Sequence, residues 1–451
     1  METPIYDFIK EYEKKAVVRL HMPGHKGTTF LGCEGLDITE IDGADDLYHP
    51  QGIIAKSEQN ATNLFGSRKT FYATGGSSQC ILAMVYLAMI YGKKKEQDAK
   101  ILAGRNAHKA FLHSCALLDL AVCWVYPKEK TSLCACSILP EELERTLRSM
   151  EDGDGLPFAV FITSPDYLGN MADIKGLSAV CKNYGIPLLV DNAHGAYLHF
   201  LPKSIHPLDL GADLCCDSAH KTLPVLTGGA YLHIGKNAVA PFEEYGKSAL
   251  GLFGSSSPSY LTLQSLDLCN RVLADGYEQK LELCQKKIEK LRLALAQKGY
   301  PAWQFEPLKL MIEAGKIGMS GDEMAELLRK NGIEVEFSDD WHLVMMFTPQ
   351  TKDCDFDKVY DALPFMTDRQ EKEEKAIVPT KGEQVISIRE AMFAKRRRVC
   401  VEESLGQICA MPAVSCPPAI PIAISGERIT EQMVALFVRY GIEEVDVVWD
   451  L

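Results

Sequence analysis

Seven short apolar runs, each about the length of one strand, recur through the first half of the chain: 71–73, 100–103, 121–126, 158–163, 187–190, 212–216 and the run opened by Gly228-Gly229. Stretches with helical apolar spacing separate most of them, at 57–66, 79–91, 110–118, 140–150 and 174–184. Runs this apolar suit strands covered on both faces. Their alternation with helices selects an α/β fold built on a mostly parallel sheet. In such a sheet ligands meet the carboxyl ends of the strands, so polar residues that follow an apolar run become candidate site residues.

Two of these positions stand out. Pro187-Leu188-Leu189-Val190 ends in Asp191. A carboxylate there could hold a pyridine nitrogen protonated, because a nearby negative charge favours the cation; alone, it would equally serve as a structural cap. The run 212–216 leads into Asp217-Ser218-Ala219-His220-Lys221-Thr222-Leu223-Pro224, ahead of Gly228-Gly229. That places Lys221 in a turn between two strands. An amine on a rigid turn, beside a hydroxyl and an imidazole, suits Schiff-base chemistry with an aldehyde cofactor. A lone lysine in a turn is an ordinary surface residue; with Asp191 it divides the labour of a pyridoxal 5'-phosphate site. Ser218 and His220 are placed to bond a phosphate. Thr74-Gly75-Gly76-Ser77-Ser78 opens a helix, where free backbone N–H groups and the helix dipole favour an anion. Gly76, Ser77 and Ser78 therefore join the cofactor-binding candidates. The segment is no Walker loop, since the Gly-Lys-Ser/Thr ending is missing.

Ser218-x-His220-Lys221 with Pro224, and Asp191-x-Ala193-His194-Gly195, resemble the ornithine/lysine/arginine decarboxylase family. Further matches to its pattern are His21-Met22-Pro23-Gly24-His25-Lys26-Gly27, the run from Asp37-Ile38-Thr39-Glu40 to Asp45-Asp46-Leu47, Arg105-Asn106-Ala107-His108-Lys109, Ser256-Ser257-Pro258-Ser259-Tyr260, Pro417-Pro418-Ala419-Ile420-Pro421 and Gly426-Glu427. The motifs fall in the family's order and span nearly the whole chain. The resemblance implies an aspartate-aminotransferase-like fold, with a seven-stranded large-domain sheet and a smaller α+β C-terminal portion. It implies pyridoxal-phosphate-dependent decarboxylation of arginine, lysine or ornithine to the amine and carbon dioxide. It also implies site roles: His108 stacked on the ring, Ser164 near the cofactor, and Ser256 reaching the phosphate of a neighbouring subunit in a homodimer. Lys221, His108, Asp191 and His194 form the expected catalytic set. Lys221 or a nearby histidine is the candidate acid that returns a proton to the α-carbon. Asn192 and Tyr197 depart from the family's commoner glutamate and histidine, which leaves substrate choice open. An aminotransferase or a side-chain lyase on the same fold remains an alternative, with Arg389 available to anchor a carboxylate. A noncatalytic protein that kept the fold is a third.

The chain has 451 residues and a formal net charge of −13, which disfavours binding to nucleic acid or an anionic membrane. The basic run Lys395-Arg396-Arg397-Arg398 is short and lacks interleaved aromatics. No apolar run approaches the roughly 20 residues of a membrane helix. Fifteen cysteines, scattered and odd in number, fit free thiols in a reducing cytoplasm. No metal site is expected from their spacing. The acids Glu40, Asp42, Asp45 and Asp46 are either a solvated face or the source of a carboxylate for a substrate's distal cation. The resemblance implies an N-terminal segment (1–56), a cofactor-binding major domain (57–260), a small α+β domain (261–378) and a C-terminal domain (379–451). Within these, 260–296 and 388–409 read as helical and 367–381 as a charged linker. The short approach to the His21 segment favours a biosynthetic, polyamine-forming enzyme over a large acid-stress assembly.

Overall fold

All seven apolar runs form strands of one sheet in the protein, a computed structural model that describes residues 1–92, 99–127, 132–153, 155–366, 371–372, 380–414 and 418–449. The strands are β1 (Lys69–Ala73), β2 (Lys100–Gly104), β3 (Ala121–Val125), β4 (Ala159–Thr163), β5 (Leu188–Asp191), β6 (Leu214–Asp217) and β7 (Ala230–Ile234). Their order is β1-β7-β6-β5-β4-β2-β3. β5 and β6 pair in parallel, as do β2 and β3, whereas β7 runs antiparallel to both β6 and β1. Every residue of β5, β6 and β7 is buried, as expected of strands covered on both faces.

The chain forms two compact units. The first comprises Met1–Gln97, Thr146–Phe161 and Ile174–Gln279. Its helix Gly76–Gly92 is apolar almost all round, with Cys80, Met84, Leu87 and Ala88 buried, which suits a helix covering the middle of a sheet. Asp267 closes the N-terminal segment onto this unit: its carboxylate accepts from the backbone N–H groups of Ile5 and Tyr6 and from the Ser57 hydroxyl.

The second unit comprises Asp98–Arg145, Ile162–Asp173 and Lys280–Leu451. It adds two antiparallel sheets. One has the order β10-β11-β9-β8, from β8 (Ala302–Trp303), β9 (Lys309–Glu313), β10 (Phe337–Ser338) and β11 (His342–Met346); the other pairs β12 (Arg396–Cys400) with β13 (Glu444–Val448). Leu168, Met311, Val344, Val445 and Phe437 share its core.

Lys221 lies between β6 and β7 as expected, on a single helical turn, Ala219–Thr222. Two local expectations are corrected. The stretch 260–296 is two helices, Tyr260–Leu273 and Tyr277–Gln297, broken at Gly276, whose φ of +65° leaves the helical region. The stretch 388–409 is not one helix: it keeps the α-helix Ile388–Phe393 and a 3-10 turn, Val401–Ser404. Its arginines then lie on β12, where pairing with Val445 and Val447 buries Val399 and leaves Arg396, Arg397 and Arg398 exposed. Most of the expected linker 367–381, and Pro417 of the C-terminal motif, lie outside the described residues.

Candidate active site

The first unit holds most of the candidate residues. In the parallel pair β5–β6, Asp191 is level with Cys216, so the chain leaves both strands side by side at their carboxyl ends. From β5 it continues through Asn192 to His194; from β6, through Asp217 and Ser218 to Lys221. The backbone carries the pairing one residue further, with Asn192 N–H donating to Cys216 C=O at 3.0 Å.

Asp191 is 3% exposed. Its Oδ1 accepts from the Ala193 N–H at 3.2 Å and from the Cys216 thiol at 3.6 Å. Burial pushes its proton affinity up, and the Lys221 ammonium pulls it partly back. The Lys221 Nζ is 3.0 Å from Nε2 of His194, and that imidazole is buried. Gly195 makes this turn possible: a Cβ there would lie 2.0 Å from Asn192 Oδ1.

The hydroxyls of Ser218 and Ser77 come together, with Ser218 donating to Ser77 at 2.8 Å. Ser77 belongs to the first turn of the helix Gly76–Gly92, where backbone N–H groups lack partners within the helix. Gly76 has φ +71°, and its N–H donates to Gly228 C=O at 2.8 Å. Gly228 itself has φ +93°, and a Cβ there would meet Thr74 C=O at 2.8 Å. These two glycines let the loop ahead of the helix lie against the segment ahead of β7. Ser78 faces outward. His220 donates from Nδ1 to Gly229 C=O at 3.0 Å, and burial lowers its pKa. Ser256 is exposed on its loop.

His108 and Ser164 belong to the second unit. His108 caps the helix Lys109–Leu118, its Nδ1 accepting from Ala110 N–H at 3.1 Å. The Arg105 guanidinium donates to the carbonyls of Pro421 and Ile422 at 2.7 and 2.8 Å, and Lys109 N–H donates to Ala419 C=O. The motif around His108 is thus bound to the C-terminal motif. Ser164 is buried, and its hydroxyl accepts from Ala172 N–H at 3.1 Å.

The residues of the first unit fit pyridoxal phosphate. A phosphate needs convergent donors, and two hydroxyls meet at a helix N-terminus where a Cβ on Gly76 would touch nothing within 4 Å. A ring nitrogen needs a buried carboxyl group beside it, and Asp191 offers one. An aldehyde needs an amine, and Lys221 lies within electrostatic reach of Asp191.

The acidic stretch is mostly engaged in structure. Asp45 accepts from the N–H groups of Gln51, Gly52 and Ile54, and Asp46 from that of Tyr48. Glu40 and Asp42 are exposed. Asp37 faces His25 at 3.2 Å, and Arg19 donates to the carbonyls of Glu34, Gly35 and Asp37, which ties the His21 segment to the run that starts at Asp37. Sequence reasoning missed Asp217, His206 and His233, which meet in the core of the first unit. The signal for the first of them was available, because Asp217 ends a buried strand just as Asp191 does.

The model of the Orn/Lys/Arg decarboxylase major domain matches residues 3–313. An arginine decarboxylase of Bacillus subtilis strain 168 is 29% identical, over 96% of this chain and 92% of that protein. The crystal structure of a Francisella novicida lysine decarboxylase superposes with a TM-score of 0.82 at 17% identity, covering 99% of this chain and 81% of that one. A structure described as SPT with PLP aligns with a TM-score of 0.52 at 14% identity, over 68% of this chain and 74% of its own.

Proposed function

Because the chain belongs to the Orn/Lys/Arg decarboxylase family, and is thereby an amino-acid carboxy-lyase, we propose that it binds pyridoxal phosphate in the first unit and decarboxylates a basic amino acid, arginine foremost. The observation that carries this reading is the Lys221–His194 contact at 3.0 Å beside buried Asp191. The named arginine decarboxylase relative supports the substrate, and the likeness to a structure with PLP supports the cofactor.

When bound, the cofactor supplies an electron sink for the pair released as carbon dioxide leaves. The protein residues do the rest. Lys221 would supply the amine that holds the cofactor at its aldehyde. Asp191 keeps the ring nitrogen protonated, which its burial makes effective. His194 accepts or returns the proton of the Lys221 amine, so the pair can deliver a proton to the α-carbon. Ser77, Ser218 and the helix N-terminus hold the phosphate. Glu40 or Asp42 would meet the substrate's distal cation.

A transaminase is less well supported. Its carboxylate anchor would be Arg389, whose Nη1 already donates to the carbonyls of Ala116 and Leu117 at the end of a helix. A homodimer in which Ser256 serves the neighbouring site is supported by the exposed apolar side chains Val17, Val18, Leu20, Met22, Phe30 and Leu31, a density that marks an interaction surface. A cytoplasmic location is supported by the described cysteines being free thiols. We keep module boundaries near 56, 260 and 378 as part of the proposal, resting on the family resemblance and, for the last, on the charged stretch 367–381. The test is a product screen with arginine, lysine and ornithine: carbon dioxide and the matching amine are expected from one of them. Keto-acid formation would overturn the reading, as would turnover that survives Lys221→Ala.

A further inference from the structure

Three side chains that the reaction above does not use meet in the core of the first unit. The Oδ2 of Asp217 lies 3.0 Å from Nε2 of His206 and 3.1 Å from Nε2 of His233; its Oδ1 lies 2.7 Å from Nδ2 of Asn192 and 3.6 Å from the Cys215 thiol. Asp217 and both imidazoles are 0% exposed. A His-Asp-His group invites a metal reading, but the hydrogen bonds argue against it. The Leu208 N–H points at Nδ1 of His206, and a backbone amide can only donate. Nδ1 therefore accepts, and the proton of the neutral ring sits on Nε2, where it donates to Asp217 and closes that nitrogen to a metal. His233 follows the same pattern, with Nδ1 on the Thr70 hydroxyl at 2.8 Å and burial holding its pKa down.

An aspartate given four donors in a dry core stays ionised. Burial alone would push its proton affinity up, yet the two imidazoles hold it far below the usual carboxylate range. Its position is what matters. Asp217 lies two residues ahead of the helical turn carrying Lys221, and its partner Asn192 directly follows Asp191. The Asn192–Asp217 bond therefore joins the two strand ends that bear the two groups of the proposed chemistry.

We propose that Asp217 is a positioning residue for the reaction: clamped by His206 and His233, it fixes the Lys221 turn against the Asp191 strand through Asn192 and lends its negative charge to the proton shared there. This rests on the pyridoxal-phosphate reading given above.

The charge has few competitors. Burial keeps the thiols of Cys80, Cys215 and Cys216 neutral, and likewise the phenol of Tyr231 across the sheet. The His194 and His220 imidazoles flank Lys221, and Lys221 supplies the ammonium that opposes the two carboxylates. A second buried anion one strand away therefore raises the proton affinity of Asp191 and of whatever shares its proton. Asp191 shares its face of the sheet with Cys216, so Asp217 points to the other face and the two charges lie on the order of 10 Å apart; at an effective dielectric constant of about 20 that is worth about one pH unit.

The test uses full-length protein loaded with pyridoxal phosphate. The pH titration of the bound cofactor's visible absorbance is recorded for wild type, Asp217→Asn and Asn192→Ala, along with thermal melts without cofactor. Asp217→Asn is expected to move the midpoint down by about one pH unit. Asn192→Ala keeps the charge and cuts the tie. It is expected to leave the midpoint in place and lower kcat on the order of tenfold at unchanged KM, and it carries the test if Asp217→Asn does not fold. A wild-type midpoint in Asp217→Asn, or wild-type kcat in Asn192→Ala, would overturn the proposal. So would stoichiometric zinc uptake by wild type that His233→Gln abolishes. Wild-type protein that gains no visible absorbance with pyridoxal phosphate would instead overturn the cofactor reading itself.

Discussion

The Asp191→Asn variant is expected to lose catalysis while keeping, or raising, the stability of the cofactor-free protein. Asparagine preserves the shape of the site: its Oδ1 can still accept from the Ala193 N–H and the Cys216 thiol, the two bonds the carboxylate accepts now. What disappears is the charge. An opposite charge within contact of a titrating group shifts its pKa by about 1–3 units, so loss of Asp191 should release the ring proton and lower kcat/KM by roughly 10- to 1,000-fold. Stability should move the other way. The folded protein holds a proton on buried Asp191 that the unfolded chain has already released, so the cofactor-free protein loses stability as pH rises through the raised pKa. The substituted amide cannot ionise, and this loss should vanish. The assay pairs decarboxylation kinetics with melts of the cofactor-free protein across pH 4–8. A variant that loses activity and stability together at neutral pH would refute the reasoning, because Asp191 would then be a structural acid.

Gly228→Ala should strain the loop that accepts the Gly76 N–H, since the residue has φ +93° and its Cβ would press on Thr74 C=O. A loss of about 1–3 kcal/mol in stability and weaker binding of pyridoxal phosphate are expected, read by denaturant melts and cofactor titration. Glu306, buried near Lys309, has its pKa pushed up to about 7 by burial. Its folded-state proton makes stability fall as pH rises from its ordinary value of 4.5 toward 7, and Glu306→Gln should flatten that part of a Tm–pH curve. If Glu40 or Asp42 meets the substrate's distal cation, Glu40→Gln or Asp42→Asn should raise KM for arginine severalfold at unchanged Tm. Unchanged KM in both would place that acid elsewhere.

Much of the sheet is legible because its strands are buried on both faces and so keep their apolar runs unbroken. Leu188-Leu189-Val190 and Leu214-Cys215-Cys216 are strands as expected, and the residues after them, Asp191 and Lys221, lie at neighbouring strand ends. The misreadings have physical causes. Lys395-Arg396-Arg397-Arg398 carries side chains that favour helices, and only pairing with β13, 48 positions away at Arg398–Asp446, makes it a strand; tertiary pairing overrides local propensity. Asp275-Gly276 is a turn signal inside an otherwise helical pattern, and it broke the stretch 260–296. His206, Asp217 and His233 come from a loop and two strands, so no spacing rule joins them. Arg389 looked available for a substrate carboxylate, yet the carbonyls it meets belong to a helix end far away in sequence.

The central claim is that the Lys221 amine captures the cofactor aldehyde beside Asp191. The most direct measurement is borohydride reduction of the protein loaded with pyridoxal phosphate, followed by peptide mass spectrometry. The account predicts a single cofactor-sized mass increase on the peptide carrying Lys221, absent from Lys221→Ala. A label on another lysine, or none, would contradict it.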